Sequence, residues 1–267
     1  PVSAFLVAWT NWVHDPVIAV ALLVLAALSV AGIARADPRI GAPARTAPRI
    51  RAFIVGLLTA TLAMVSPLDT LGGQFFAAHM LQHLVLIMVV APLLAWSRAD
   101  VILSHSLPVS ARRWLARYRA TSGVKQWTNS PRTAWLVAAV FTGTIWLWHI
   151  PAAHDAALGN AGLHVLEHFM VLGSATLFWR VIIGSDEFKL GPAGAAIIVS
   201  LVSLQGSLLS AILMFAPRQL CGAYAGNPIE DQVLAGLLMC IPASFVYLGS
   251  TVWVLSRLIG EKRSHAG

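Results

Sequence analysis

Gln74 to Trp96 reads QFFAAHMLQHLVLIMVVAPLLAW, and this stretch decides the fold. At ~1.5 Å rise per residue, ~20 apolar residues span the ~30 Å hydrocarbon core of a bilayer, so the stretch is long enough to cross as one helix. Its first turns nevertheless carry His79, Met80, Gln82 and His83. Residues at i and i+4 share a helix face, so both imidazoles point one way near one membrane surface, with Met80 beside them.

The rest of the chain is built on the same scale. Of 267 residues, 58% are hydrophobic and 11% charged, which excludes an ordinary water-soluble domain and implies an all-α, polytopic membrane helix bundle. Apolar runs predict seven transmembrane helices: about Val17 to Ala34, Ile50 to Leu68, the opening stretch, Thr133 to Ile150, Asn160 to Ile183, Ala193 to Phe215 and Val233 to Ile259. Before them, residues 1 to 16 form an outer segment, with one apolar stripe over residues 3 to 13 predicting a short interfacial helix anchored by Trp9 and Trp12. Residues 17 to 259 are then the transmembrane domain and residues 260 to 267 a cytoplasmic tail. Two cysteines are too few for a disulfide framework.

Seventeen of the eighteen basic residues fall in the segments on one side of these seven spans, and Arg218 alone falls on the other. By the positive-inside rule the N-terminus is outside and the C-terminus inside. The formal charge of +7 therefore marks orientation and contact with anionic lipid, not nucleic acid. Arg112, Arg113, Arg117 and Arg119 around Trp114, Leu115 and Tyr118 predict a basic helix on the inner surface. Trp96, Trp127, Trp135, Trp179 and Trp253 then form an inner aromatic belt, and Trp9, Trp12, Trp146 and Trp148 an outer one.

With this orientation only His105 and His265 of the nine histidines are cytoplasmic. His79 and His83 open the third span, His149 closes the fourth, His154 follows in a loop, and His164 and His168 open the fifth. Three helices thus present six imidazoles to one leaflet, two pairs of them at i and i+4, which is the spacing of a bidentate claw for copper, zinc or iron. His14 precedes the first span on the same side. Met80 and Met170 adjoin the histidines and tilt the choice toward Cu(I). Glu167 lies between His164 and His168 and, with Gln82 and Asp155, is placed to orient an imidazole or balance metal charge. An ionisable residue inside an apolar helix is costly and marks function. Hydrogen-bond glue between helices is the bland reading of such side chains. Two other chemistries use the same residues: histidines from two helices ligate a haem b in electron-transfer or scaffold subunits of respiratory complexes, and HxxxH spacings occur in membrane di-iron oxygenases.

The runs HMLQHLVLIMVVAPLL, LWHIPAAHDAAL, LHVLEHFMVLGSATLFW and DQVLAGLLM, with LPVSARRWLARY between the first two, resemble the membrane-integral assembly-factor family of caa3-type cytochrome c oxidase, in order and over roughly residues 50 to 256. The resemblance implies a copper-linked role in maturing a haem-copper oxidase on the outer face of the membrane, with oxidase subunits as partners and no turnover of its own. His79, His83, His149, His164 and His168 sit in the matching runs.

Overall fold

The structure, a computed structural model, describes residues 16–35, 47–224 and 228–264. The expected interfacial helix over residues 3 to 13, with His14 after it, lies outside the described residues, as does the end of the tail. Every regular element among the described residues is helical. In chain order these are α1 (Pro16–Arg35), α2 (Ala47–Val65), α3 (Pro67–Gly72), α4 (Phe76–Ser97), α5 (Ala99–Ser104), α6 (Val109–Ala120), α7 (Ser122–Thr128), α8 (Pro131–Trp148), α9 (Pro151–Gly159), α10 (Ala161–Ile183), α11 (Gly191–Phe215) and α12 (Pro228–Ser264).

Five of these, α2, α4, α10, α11 and α12, are long and apolar enough to cross a membrane. A sixth span exists if α8 and α9 are taken together, although they are bent by 73° at the intervening break. The expected first span is met by a shorter apolar helix, Ala19–Arg35. The chain is therefore an all-helical, multi-pass bundle with five to six candidate spans among the described residues.

The short connections between the second and third and between the fourth and fifth expected spans are themselves helical. Ser66 accepts the Leu68 amide on its hydroxyl, and Pro67 takes the first helical position, so the segment after α2 closes into α3. Pro151 likewise starts α9 over PAAHDAALG. That run is too short to stand out by periodicity, and its bend against α8 turns His154 inward to 1% exposure. The connector between α4 and α8 holds three short helices rather than one, α5 to α7, and α6 has no buried residue.

In α4, Pro92 has no amide hydrogen to give, so the ladder before it must be rearranged. The helix widens to π geometry over Leu86–Val90, where the Ala91 amide reaches back to the Leu86 carbonyl. The next carbonyl, Ile87, would look to residue 92 and finds proline. It accepts the Trp179 indole N–H of α10 instead, at 2.7 Å. Trp179 is 4% exposed, so it is not part of an aromatic belt as expected but a bolt between α4 and α10. Trp148 is likewise buried and not in the outer belt. Trp96, Trp127, Trp135 and Trp253 are exposed. Phe141, Phe178 and Tyr247 fill the core around Trp179.

The two ends of the bundle differ. Where α4 and α10 finish, Arg98 pairs with Glu187 at 3.1 Å, Arg180 with the same carboxylate, and Arg257 with Asp186. Where they begin lie the histidines.

Replacing Trp179 by Phe keeps most of the ring volume but strands a buried carbonyl. The variant is expected to lose about 1–3 kcal/mol, read as a lowered unfolding midpoint in detergent.

Candidate metal centre

α4 brings His79 and His83 to the bundle interior at 0% and 4% exposure, and α10 brings Glu167 and His168 at 0% and 2%. His154 enters from α9. His164, one turn before His168, is half-buried. The rings are mutually in contact: His79 to His83 and His164 to His168 at 4.4 Å between centroids, His79 to His154 at 4.9 Å, His83 to His168 at 5.0 Å and His79 to His164 at 5.6 Å. Five of the six expected imidazoles thus form one cluster. His149, at the end of α8, joins it from the side, where it lines an apolar cavity of about 60 Å³ together with His83, Met80 and Met239.

Glu167 is the centre of the arrangement. Its Oε1 lies 3.5 Å from His79 Nε2, 3.8 Å from His83 Nε2 and 4.0 Å from His154 Nδ1. Those distances exceed a hydrogen bond. They match something else, since two donors about 2.1 Å from one ion at a tetrahedral angle sit about 3.4 Å apart. His79, His164 and Glu167 each offer a ligand atom, all within 4.8 Å of one another.

The state of the donor atoms points the same way. Both nitrogens of His79, Nε2 of His83, His149, His164 and His168, Nδ1 of His154 and both oxygens of Glu167 are buried without a hydrogen-bond partner. Buried polar atoms are ordinarily paired, so this many orphans on adjoining side chains mark a place with room for a shared ligand. For two of the histidines the backbone fixes the tautomer. The Ile145 carbonyl can only accept, so His149 donates from Nδ1 at 2.7 Å, and the His164 carbonyl holds His168 Nδ1 at 3.0 Å in the same way. Each Nε2 is thereby left as a lone pair, the form that binds a metal.

Residues around the cluster hold it in place. Gln82 donates to the Ala63 carbonyl and to Asp69, both at 3.0 Å, which fixes α4 against α2 and α3. Asp155 faces the loop between α11 and α12: its carboxylate accepts the Gly222 and Ala223 amides at 3.1 and 3.2 Å. That loop carries Tyr224, whose hydroxyl lies 2.9 Å from His154 Nε2. Burial raises the Tyr224 pKa further and keeps the phenol protonated, so the hydroxyl is able to donate or accept. If it donates, His154 turns Nδ1–H toward Glu167; if it accepts, Nδ1 offers a lone pair. Met80 packs beside Phe76 and Tyr224 and on the cavity wall with His83, whereas Met170 packs against the main apolar core.

Sequence reasoning missed three supports. Besides Tyr224, Asp231 of α12 accepts the Phe76 and Ala77 amides at 2.5 and 3.1 Å, capping α4 one turn before His79. Gln232 accepts the Leu220 amide and donates to the Leu213 carbonyl, tying the loop to α11. Their only sequence signal is the DQ that opens α12.

The family model described as cytochrome c oxidase caa3 assembly factor matches residues 27–261. The chain matches no curated protein and no solved structure.

Removing the remote cap by Asp231→Ala is expected to cost about 1–2 kcal/mol, seen as an earlier thermal transition of the purified protein. Burial, with Asp155 adding repulsion, pushes the Cys221 thiol up to about 12. With so little thiolate at pH 8, Cys221 should resist alkylation in the folded protein and react once denatured, as peptide mass spectrometry would read.

Proposed function

This chain belongs to the cytochrome c oxidase caa3 assembly factor family, and from that premise we propose that it carries copper for a haem-copper oxidase. The ion is held among His79, His83, His154, His164, His168 and Glu167, with His149 at the side, and is passed to an oxidase subunit without turnover. Met80 and, less directly, Met170 supply soft character near the imidazoles. One observation carries the reading: buried nitrogen and oxygen donors without hydrogen-bond partners converge at ligand-to-ligand spacing.

Copper supplies affinity for imidazole lone pairs and ready ligand exchange. The protein's own part is to keep those lone pairs unprotonated, dry and fixed in direction. A haem b would need a porphyrin plane between axial imidazoles, whereas these rings touch one another at 4.4–5.6 Å, which favours a bare ion.

The membrane arrangement belongs to the same proposal. The chain crosses a bacterial plasma membrane seven times, N-terminus outside and C-terminus inside, with the histidine end outward. Supporting it are the one-sided basic residues and the ion-paired arginines at the opposite end from the histidines. Helix α6 lies on anionic lipid at the inner surface, consistent with its exposed Trp114 and Tyr118, stacked at 5.7 Å beside its arginines.

Elemental analysis of the purified protein is expected to find copper, and the quadruple change of His79, His83, His164 and His168 to Ala should remove it. A copper-free wild type, or a variant that keeps its copper, overturns the assignment. Two irons per chain would favour an oxygenase, and a Soret band a haem protein.

A further inference from the structure

The cluster is closed on nearly every side, and the exception has a distinct chemistry. His79, His83, His154, His168 and Glu167 are all at most 4% exposed, while His164 is half-buried. Its Nε2 is buried within the cluster, yet its side chain also lines a cleft of about 420 Å³ at the histidine end of the bundle. One wall of this cleft comes from α3 and the turn after it, with Asp69, Thr70, Gly73 and Gln74; the other comes from the α9–α10 junction, with Gly159 and Ala161. At ~30 Å³ per water the cleft holds roughly a dozen waters, enough for a hydrated ion or a small ion complex. The cavity at His83 and His149 is smaller, about 60 Å³, and mostly apolar, so it suits a hydrated charge poorly.

We propose that this cleft is the way in and out for the cargo ion, and that His164 is its first and last protein ligand. The proposal rests on copper binding at the histidine cluster and adds the route and the exchanging residue. A ligand that is half in water swaps with solvent or a donor's ligand more readily than one locked in the core. Like His79, and in contrast to His168 and His149, His164 has no ring hydrogen bond that fixes its tautomer. Asp69 and Gln74 give an arriving cation oxygen partners on the rim, and Asp69 is linked through Gln82 to the helix that carries His79 and His83.

The glycines of the rim permit a direct test. A Cβ placed on Gly159 meets nothing within 4 Å, and one on Gly73 meets only the Thr70 carbonyl at 3.6 Å. Gly159→Trp and Gly73→Trp therefore put a bulky side chain into the cleft from opposite walls with room for its Cβ at each position. Purified protein in detergent is mixed with Cu(I) held by a coloured soluble chelator, and loss of the chelator's absorbance times the uptake. Both tryptophan variants should load about tenfold or more slowly than wild type, to the same final copper per chain, while Gly159→Ala keeps the wild-type rate. Uptake at the wild-type rate in both tryptophan variants, or equal slowing in Gly159→Ala, overturns the route but leaves the copper site standing. Absence of uptake by the wild type overturns both.

Discussion

A carboxylate surrounded by imidazoles inside an apolar bundle is the constraint on which the rest of this molecule depends. Moving such groups out of water costs several kcal/mol each unless hydrogen bonds, opposite charges or a metal compensate. Glu167 is fully buried with neither oxygen hydrogen-bonded, and His168 and His149, anchored through Nδ1, are left with Nε2 as a lone pair. Left to itself, such a cluster would relax by rotating side chains toward any available partner. The surrounding shell denies it that escape. His168 and His149 are tied to their own helices by Nδ1, His154 is tied to Tyr224, and Gln82 is occupied by Ala63 and Asp69.

The fold answers this demand by dividing labour along the bundle axis. Beyond the cluster, the bundle is ordinary apolar packing, with Phe141, Phe178 and Tyr247 around a tryptophan that repairs the backbone gap left by Pro92. At the far end, exposed ion pairs such as Arg98–Glu187 tie helix ends together, though pairs of this kind contribute little to stability. The histidine end is different in kind. Its short helices α3 and α9 and the 220s loop are too small to be stable alone, and they are held by capping and amide contacts.

What could be read from the sequence follows from the range of the interactions involved. Helices long enough to span a membrane announce themselves by apolar length, and the pairs His79–His83 and His164–His168 by a four-residue spacing that any helix converts into a shared face. Glu167 stood out because a charge is out of place in such a run. Tyr224, Asp231 and Gln232 did not, since their partners lie 70, 155 and 12 or more residues away, and nothing local marks the pairing. Trp148 and Trp179 were assigned to belts because depth can be estimated from position in a span, whereas the face a tryptophan turns to its neighbours cannot. Helix α9 was hidden for a third reason: nine residues opened by a proline carry too little periodicity to separate a bent helix from a loop.

The cap on α4 has a consequence for the order in which the protein is made. The residue that secures the first turn of α4 sits 155 positions further on, at the start of the last helix. A ribosome inserting this chain therefore lays down both histidine pairs long before it supplies the carboxylate that steadies one of them. A chain interrupted before α12 presents its histidines without the cap that steadies the first turn of α4.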